Sequence, residues 1–185
     1  MNDKSKYNPK IHHRKSIRLK GFDYSKAGLY FITICCQDRI CRFGKIENGK
    51  MILNVEGNIA NECWLEIPKH YPNAKLHEQI VMPNHIHGII ELADVVGVQN
   101  FERQHQNFEP QQENKFQKII PRSIGSIIRG YKIGVTKWYR SNTDIENVWQ
   151  RNFYENIIRN EHAYQKISEY IINNPAKWND DKFYK

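Results

Sequence analysis

Apolar positions change their period several times along the chain, and each change predicts an element. Residues 29 to 36, LYFITICC, form an unbroken β-branched and aromatic run, the pattern of a central buried strand. RFGKIENGKMILN reads as a hairpin, because Asn48-Gly49 favours a type I′ turn between two short strands. From Val55 the period lengthens. Val55, Ile59, Ala60, Cys63, Trp64 and Ile67 share one face of a helix that ends before Pro72. Residues 75 to 82 and 85 to 91 predict two more strands around the Pro83-Asn84 turn.

The second half repeats the alternation. Residues 93 to 117 carry six glutamines and no steady period, which predicts a flexible loop. Helix returns near residue 119, with Ile120, Ile124, Ile127, Ile128, Tyr131, Val135 and Trp138 on a stripe. NVWQRNFYENII predicts an edge strand or an irregular connection. A last helix runs from about Glu161 to Asn173, where Pro175 stops it. The order is strand, hairpin, helix, two strands, long loop, helix, short strand, helix. It fits an α+β domain in which helices pack on one antiparallel sheet.

Composition narrows the setting. At 185 residues the chain suits a single domain with its own core. No run approaches the roughly 18 apolar residues of a membrane span. The N-terminal stretch has no apolar signal core, so a cytoplasmic protein without a membrane partner is expected. Cys35, Cys36, Cys41 and Cys63 form no C-x-x-C pair and are expected to be free thiols. The net charge is +8, and residues 1 to 20 hold seven Lys or Arg against one Asp, which is +6 of it. Such an arm attracts polyanions, nucleic acid foremost, although a merely solvated tail has the same composition.

The chemistry concentrates in VMPNHIHGII, residues 81 to 90. In a strand, Ile86, Gly88 and Ile90 point to one face, and His85, His87 and Ile89 to the other. Two neighbouring imidazoles can hold a divalent ion, but they lack the third or fourth ligand of a stable site. A pair of hydrogen-bonded, core-lining histidines is the commoner outcome of this pattern. On the last helix, Tyr170 and Asn174 stand four residues apart beside the apolar stripe Ala163, Ile167 and Ile171. A nucleophilic phenol with an oxygen ligand would read the same as a core-edge tyrosine with a helix cap. Pro175 is expected to push Asn174 off ideal helical geometry.

Four segments together, SIRLKGFDYSKAGLYFITICCQDR, VMPNHIHGII, VWQRNFYENIIRNE and EYIINNPAKW, resemble the HUH-type single-tyrosine transposases. Within them the chain is most similar to the branch associated with repetitive extragenic palindromes. The resemblance runs from about Arg14 to Trp178, outside the basic extreme N-terminus and the Gln-rich loop, and implies an RRM-like (ferredoxin-like) fold. The expected organisation is a basic arm at 1–20, a single catalytic domain at 21–178 with a flexible loop at about 93–117, and a tail at 179–185. It implies Tyr170 as the catalytic nucleophile, and His85, His87 and Asn174 as ligands of Mg²⁺ or Mn²⁺. Insertion-sequence relatives usually carry Gln as the third ligand, so here the amide is kept and shortened. It further implies cutting and rejoining of single-stranded DNA at palindromic hairpins through a 5′-phosphotyrosine link, by a monomer or a homodimer.

Arg14, Lys15, Arg18, Arg122, Arg129 and Lys132 are the expected DNA contacts, with Tyr131, Trp138 and Tyr139 as candidate stacking rings. Ser123 and Ser126 are candidate phosphate donors or helix caps. Tyr154 is the rival nucleophile, although Ile158, four residues on, offers no amide. Two other functions fit the same fold: a non-catalytic nucleic-acid-binding module, and a metal-dependent hydrolase without a covalent intermediate.

Overall fold

The computed structural model describes residues 25–93 and 120–184. The expected arm at 1–20, and the expected loop apart from Ala93, lie outside the described residues. Six strands and four α-helices follow in order: β1 (Gly28–Cys35), β2 (Gly44–Glu47), β3 (Lys50–Leu53), α1 (Val55–Leu65), α2 (Ile67–His70), β4 (Ala74–Met82), β5 (His85–Leu92), α3 (Ile124–Asn142), β6 (Tyr154–Ile158) and α4 (Glu161–Asn173). Four of the strands form one antiparallel sheet in the order β4-β5-β1-β6, while β2 and β3 pair separately. With α1 and α3 as the two crossovers, this is the ferredoxin-like arrangement.

Local chemistry sets most of the boundaries. Asn48 and Gly49 both have positive φ, at 50° and 71°, as a type I′ turn requires. Asn54 caps α1, its side chain accepting from Gly57 N at 2.8 Å. The expected helix near residue 119 begins later, at Ile124. Ser123 is its N-cap, with Oγ accepting from Ser126 N at 3.3 Å, and Ile120 is left exposed before it. Val55, expected on the buried face of α1, is also exposed, because that helix is covered through Gly57, Ala60 and Trp64.

The sheet is covered on both faces. Tyr30, Ile32 and Ile34 of β1 and Ile86 and Ile90 of β5 join Trp64 of α1 and Ile124, Ile127, Ile128, Tyr131 and Val135 of α3 in the main core. On the opposite face Ile89 of β5 and Ile158 of β6 meet Ile171 of α4. Strand alternation therefore divides β5 as expected: Ile86 and Ile90 enter the main core, while His85, His87 and Ile89 face α4.

Polar contacts hold α4 on that second face. A register shift in β4 between Leu76 and Gln79 marks an irregularity at His77 and Glu78. Glu78 Oε2 accepts from Tyr164 Oη at 2.9 Å and from Ser168 Oγ at 3.0 Å, both on α4. His77 Nδ1 lies 3.1 Å from Tyr164 Oη, and His77 Nε2 lies 2.8 Å from Glu91 Oε2. Asn160 caps the helix, accepting from Ala163 N at 2.8 Å. Apolar stripe, polar clamp and cap together fix where Tyr170 comes to rest.

Gly88 is required by close approach on the other face. A Cβ there would stand 2.3 Å from Cζ2 of Trp64, which is fully buried in the main core. Gly88→Ala is expected to overpack this contact and destabilise the fold by about 1–3 kcal/mol. Chemical denaturation followed by tryptophan fluorescence measures the loss; a midpoint equal to wild type would contradict the packing described.

Candidate active site

Cross-strand register places a hydrogen-bonding side chain beside one histidine and a turn amide beside the other. Thr33 of β1 is the direct partner of His87, and its Oγ1 lies 2.8 Å from His87 Nδ1. Asn84, in the turn before β5, lies with Oδ1 2.9 Å from His85 Nδ1. The two rings are 4.4 Å apart between centroids, and both are buried. An imidazole out of water must satisfy its polar atoms, and each Nδ1 has done so.

The other nitrogens meet α4 and the chain that follows it. Tyr170 Oη is 3.1 Å from His87 Nε2 and 3.1 Å from Asp181 Oδ2. Asn174 Nδ2 donates to the same Asp181 oxygen at 2.8 Å. A carboxylate only accepts, so the Asn174 amide nitrogen must face it and Oδ1 must turn away. Among the described residues, Asn174 Oδ1 and His85 Nε2 are buried without a hydrogen-bond partner. Ligand atoms of His85, His87 and Asp181 lie within 4.8 Å of one another, a little beyond the roughly 4.2 Å that two opposed metal–ligand bonds of about 2.1 Å span, so the side chains would draw in slightly around an ion. Two neutral imidazoles, a carboxylate and an orphaned amide oxygen make a donor set that suits a divalent ion.

Asn174 keeps helical geometry, with φ −57° and ψ −41°, contrary to the expected effect of Pro175. It continues the α4 spiral, and a 3-10 segment, Pro175–Asp180, carries the chain back towards the histidines. Residues 179–184 are consequently no free tail. Phe183 is buried, 4.6 Å from the His85 ring and 5.9 Å from the His87 ring, and Trp178 lies 6.0 Å from His85. Tyr170, 38% exposed, and the half-buried Asp181 are the parts of the cluster that solvent reaches.

Two cations flank the cluster that the sequence pattern did not single out. Arg39 lies 5.5 Å from the Phe183 ring centre and donates to Lys182 O at 3.2 Å. Lys182 Nζ lies 4.7 Å from the same ring. Burial pushes His85 down to about 3, helped by Lys182 and Arg39. His87 is held well below its usual range by burial and then by His85. The Tyr170 phenol is raised, first by burial and then by the Asp181 carboxylate. Both imidazoles are therefore neutral at pH 7, the state in which a ring nitrogen can ligate.

The expected DNA contacts divide. Arg14, Lys15 and Arg18 lie outside the described residues. Arg122 and Arg129 are exposed. Lys132 is a correction: it is half-buried, and its ammonium donates to Gln150 O at 2.8 Å and Asn152 O at 2.9 Å. Burial lowers it to about 8. It pins the approach to β6 instead of facing solvent. The α3 helix as a whole packs on the sheet face opposite the histidines. Tyr131 and Tyr139 are core residues, so neither is a free stacking ring, and Trp138 packs half-buried against that core. Ser123 acts as a cap, and Ser126 Oγ donates to Ser123 O at 2.8 Å.

Tyr154 sits on the histidine-bearing face, paired with Thr33, with its ring 6.2 Å from Phe183 and 5.8 Å from Lys182 Nζ. No disulfide joins Cys35, Cys36, Cys41 or Cys63; Cys41 is exposed, and burial raises Cys35 to about 11. Among the described residues, no helix is long and apolar enough to cross a membrane.

No protein-family model matches the chain. A solved structure described as a REP-associated tyrosine transposase bound to a REP hairpin superposes with a TM-score of 0.55. It is 21% identical, covering 89% of this chain and 76% of that one. The fold is thus that of a REP-associated tyrosine transposase. A putative REP-associated tyrosine transposase of Haemophilus influenzae is 26% identical over 84% of this chain and 74% of its own length. A second Haemophilus influenzae protein, uncharacterised, is 48% identical over 97% of this chain and 98% of its own length. The chain belongs to one family with that protein, and it resembles the REP-associated tyrosine transposases in both sequence and fold.

The neutral histidines have a consequence for stability. In metal-free buffer the unfolded chain takes up protons at its histidines near pH 6.5, while folded His85 resists until about pH 3. Stability present above pH 6.5 is therefore lost progressively as the pH falls towards 3. Urea denaturation across this range is expected to show the decline in wild type and a shallower one in His85→Ala. Equal slopes would contradict a neutral buried His85.

Proposed function

We propose that the protein is a single-strand DNA endonuclease and strand transferase whose nucleophile is Tyr170. The observation that carries this reading is the phenol oxygen, 3.1 Å from His87 Nε2 and 3.1 Å from Asp181 Oδ2, on the helix docked over the two histidines. Similarity to a transposase bound to a REP hairpin supports hairpin-forming single strands as the DNA.

His85, His87 and Asn174 would hold Mg²⁺ or Mn²⁺, with Asp181 in reach as a further ligand. Such an ion, when bound, supplies charge neutralisation at the non-bridging oxygens of the scissile phosphate. The chain's own groups do the rest. Tyr170 Oη attacks phosphorus, the new oxygen–phosphorus bond replaces the bond to O3′, and the products are a 5′-phosphotyrosine and a free 3′-OH. With His87 Nε2 given to the ion, Asp181 Oδ2 is the acceptor available for the phenol proton, which can pass on to the departing O3′. Because the phosphotyrosine conserves the energy of the phosphodiester, the 3′-OH of another strand can reverse the step without ATP. Arg39 and Lys182 lie at the site as cations for the DNA backbone, with Arg14, Lys15 and Arg18 as further contacts, while Arg122 and Arg129, at the helix on the opposite sheet face, would meet only DNA that passes beyond the site.

Tyr170 is preferred over Tyr154 because its oxygen, not merely its ring, meets the cluster. The test incubates labelled single-stranded hairpin DNA with Mn²⁺ and resolves the products under denaturing conditions. Wild type and Tyr154→Phe are expected to give a covalent protein–DNA adduct. Tyr170→Phe, which keeps its packing against Phe31 (ring centres 6.1 Å apart), should bind DNA and give none. Replacing His85 and His87 together by Ala should abolish cleavage and leave hairpin binding. The reverse pattern for the two tyrosines would assign the chemistry to Tyr154. Cleavage without any adduct would favour a hydrolase, and binding without cleavage a non-catalytic module.

A further inference from the structure

Hydrogen-bond bookkeeping around the Pro83-Asn84 turn singles out a residue that is neither a ligand nor the nucleophile. Asn84 is fully buried, yet its backbone does not call for asparagine. The described non-glycine residues with positive φ are Asp38, Arg39, Asn48 and Arg122, and Asn84 is not among them. Its side chain instead makes three contacts. Nδ2 donates to Phe183 O at 2.8 Å and to Arg39 O at 3.1 Å, and Oδ1 lies 2.9 Å from His85 Nδ1. Its backbone carbonyl also accepts from Cys36 N at 2.8 Å, which fixes the turn against the end of β1.

The orientation of the amide admits one solution. The oxygens of Phe183 and Arg39 are carbonyls and can only accept, so both hydrogens of Nδ2 are committed to them. Oδ1 must then face the imidazole, and it too can only accept. His85 Nδ1 must carry the hydrogen between them. A neutral imidazole has one N–H, so Nε2 keeps a bare lone pair, and this is the atom that lies buried without a partner among the described residues.

We propose that Asn84 is a positioning residue of the site, selecting the Nδ1–H tautomer of His85 and thereby reserving Nε2 for a divalent ion. The part of this inference that concerns the ion rests on the metal-binding reading above; the tautomer does not. The same amide ties His85 to Phe183, two residues beyond Asp181, so one side chain sets both the ring and the chain that brings the carboxylate. No other common side chain of this length meets the three demands. Asp offers no donor, Leu offers nothing, and Gln carries its amide one carbon further out. Thr33 occupies the corresponding place beside His87 Nδ1, but a hydroxyl both donates and accepts and so selects no tautomer by itself.

The experiment uses the full chain with ¹⁵N-labelled histidine, free of metal, and reads long-range ¹H–¹⁵N correlations at neutral pH. Wild type is expected to show His85 protonated at Nδ1 and bare at Nε2. A proton on Nε2, or an averaged signal, overturns the proposal without need of any variant. Asn84→Asp keeps the acceptor and loses both donors, so it should retain the tautomer. Asn84→Ala should lose it and bind Mn²⁺ about 10- to 100-fold more weakly, followed by electron paramagnetic resonance titration. Unchanged Mn²⁺ affinity in a folded Asn84→Ala would overturn the positioning role. Wild type with the expected tautomer but no Mn²⁺ binding would support the tautomer assignment and overturn the metal reading alone.

Discussion

The structure depends on two uncharged imidazoles held side by side on one strand, out of water. Burial makes the protonated form costly, so both rings stay neutral and each must find partners for two nitrogens. Thr33 and the Asn84 amide satisfy the Nδ1 atoms from the sheet side and the turn side. What remains is directed towards α4, where Tyr170, Asn174 and Asp181 gather. The neighbourhood is polar because the histidines require it, and it stays small because Phe31, Phe183 and Trp178 close around it.

Placing a phenol against such a pair is a problem of helix docking. The apolar stripe on α4 sets its rotation, the Glu78 contacts with Tyr164 and Ser168 set its height along β4, and the Asn160 cap sets its first turn. Continued helical geometry through Asn174 then brings the amide to Asp181, which also accepts from Tyr170. The carboxylate thus connects the candidate nucleophile and the candidate ligand, though it belongs to neither helix nor sheet. The large core on the opposite face, where Trp64 fills the space left by Gly88, carries the sheet and leaves this face for chemistry.

Much of this was legible in the chain because the relevant signals were periodic. Alternation from His85 to Ile90 separated the histidines from the core, and the α4 stripe put Tyr170 and Asn174 towards the sheet. The I′ turn at Asn48-Gly49 and the bounds of α4 followed from local chemistry. Contacts made by single side chains across long stretches of sequence were not legible. Asp181 and Thr33 meet the histidines through the fold, and no spacing announces them, while Asn84 stands next to His85 in the chain but its side-chain partners Arg39 and Phe183 do not. A phenylalanine at 183 among charged neighbours was the one hint that the last residues pack inward. Lys132 was misplaced for a related reason. A cation beside an apolar stripe reads as solvent-facing, whereas two carbonyls before β6 draw it in. Pro175 misled differently: the general pre-proline bias gives way here, where Asn174 is buried and hydrogen-bonded to Asp181.

The central claim is that the α4 face of the sheet is a metal-assisted tyrosine site. Crystals grown with Mn²⁺, measured at the manganese absorption edge, test it most directly. The account predicts one anomalous peak in bonding range of His85 Nε2 and of an oxygen from Asn174 or Asp181, with the Tyr170 phenol beside it. Manganese bound only elsewhere, or both histidines unliganded at saturating Mn²⁺, would contradict it.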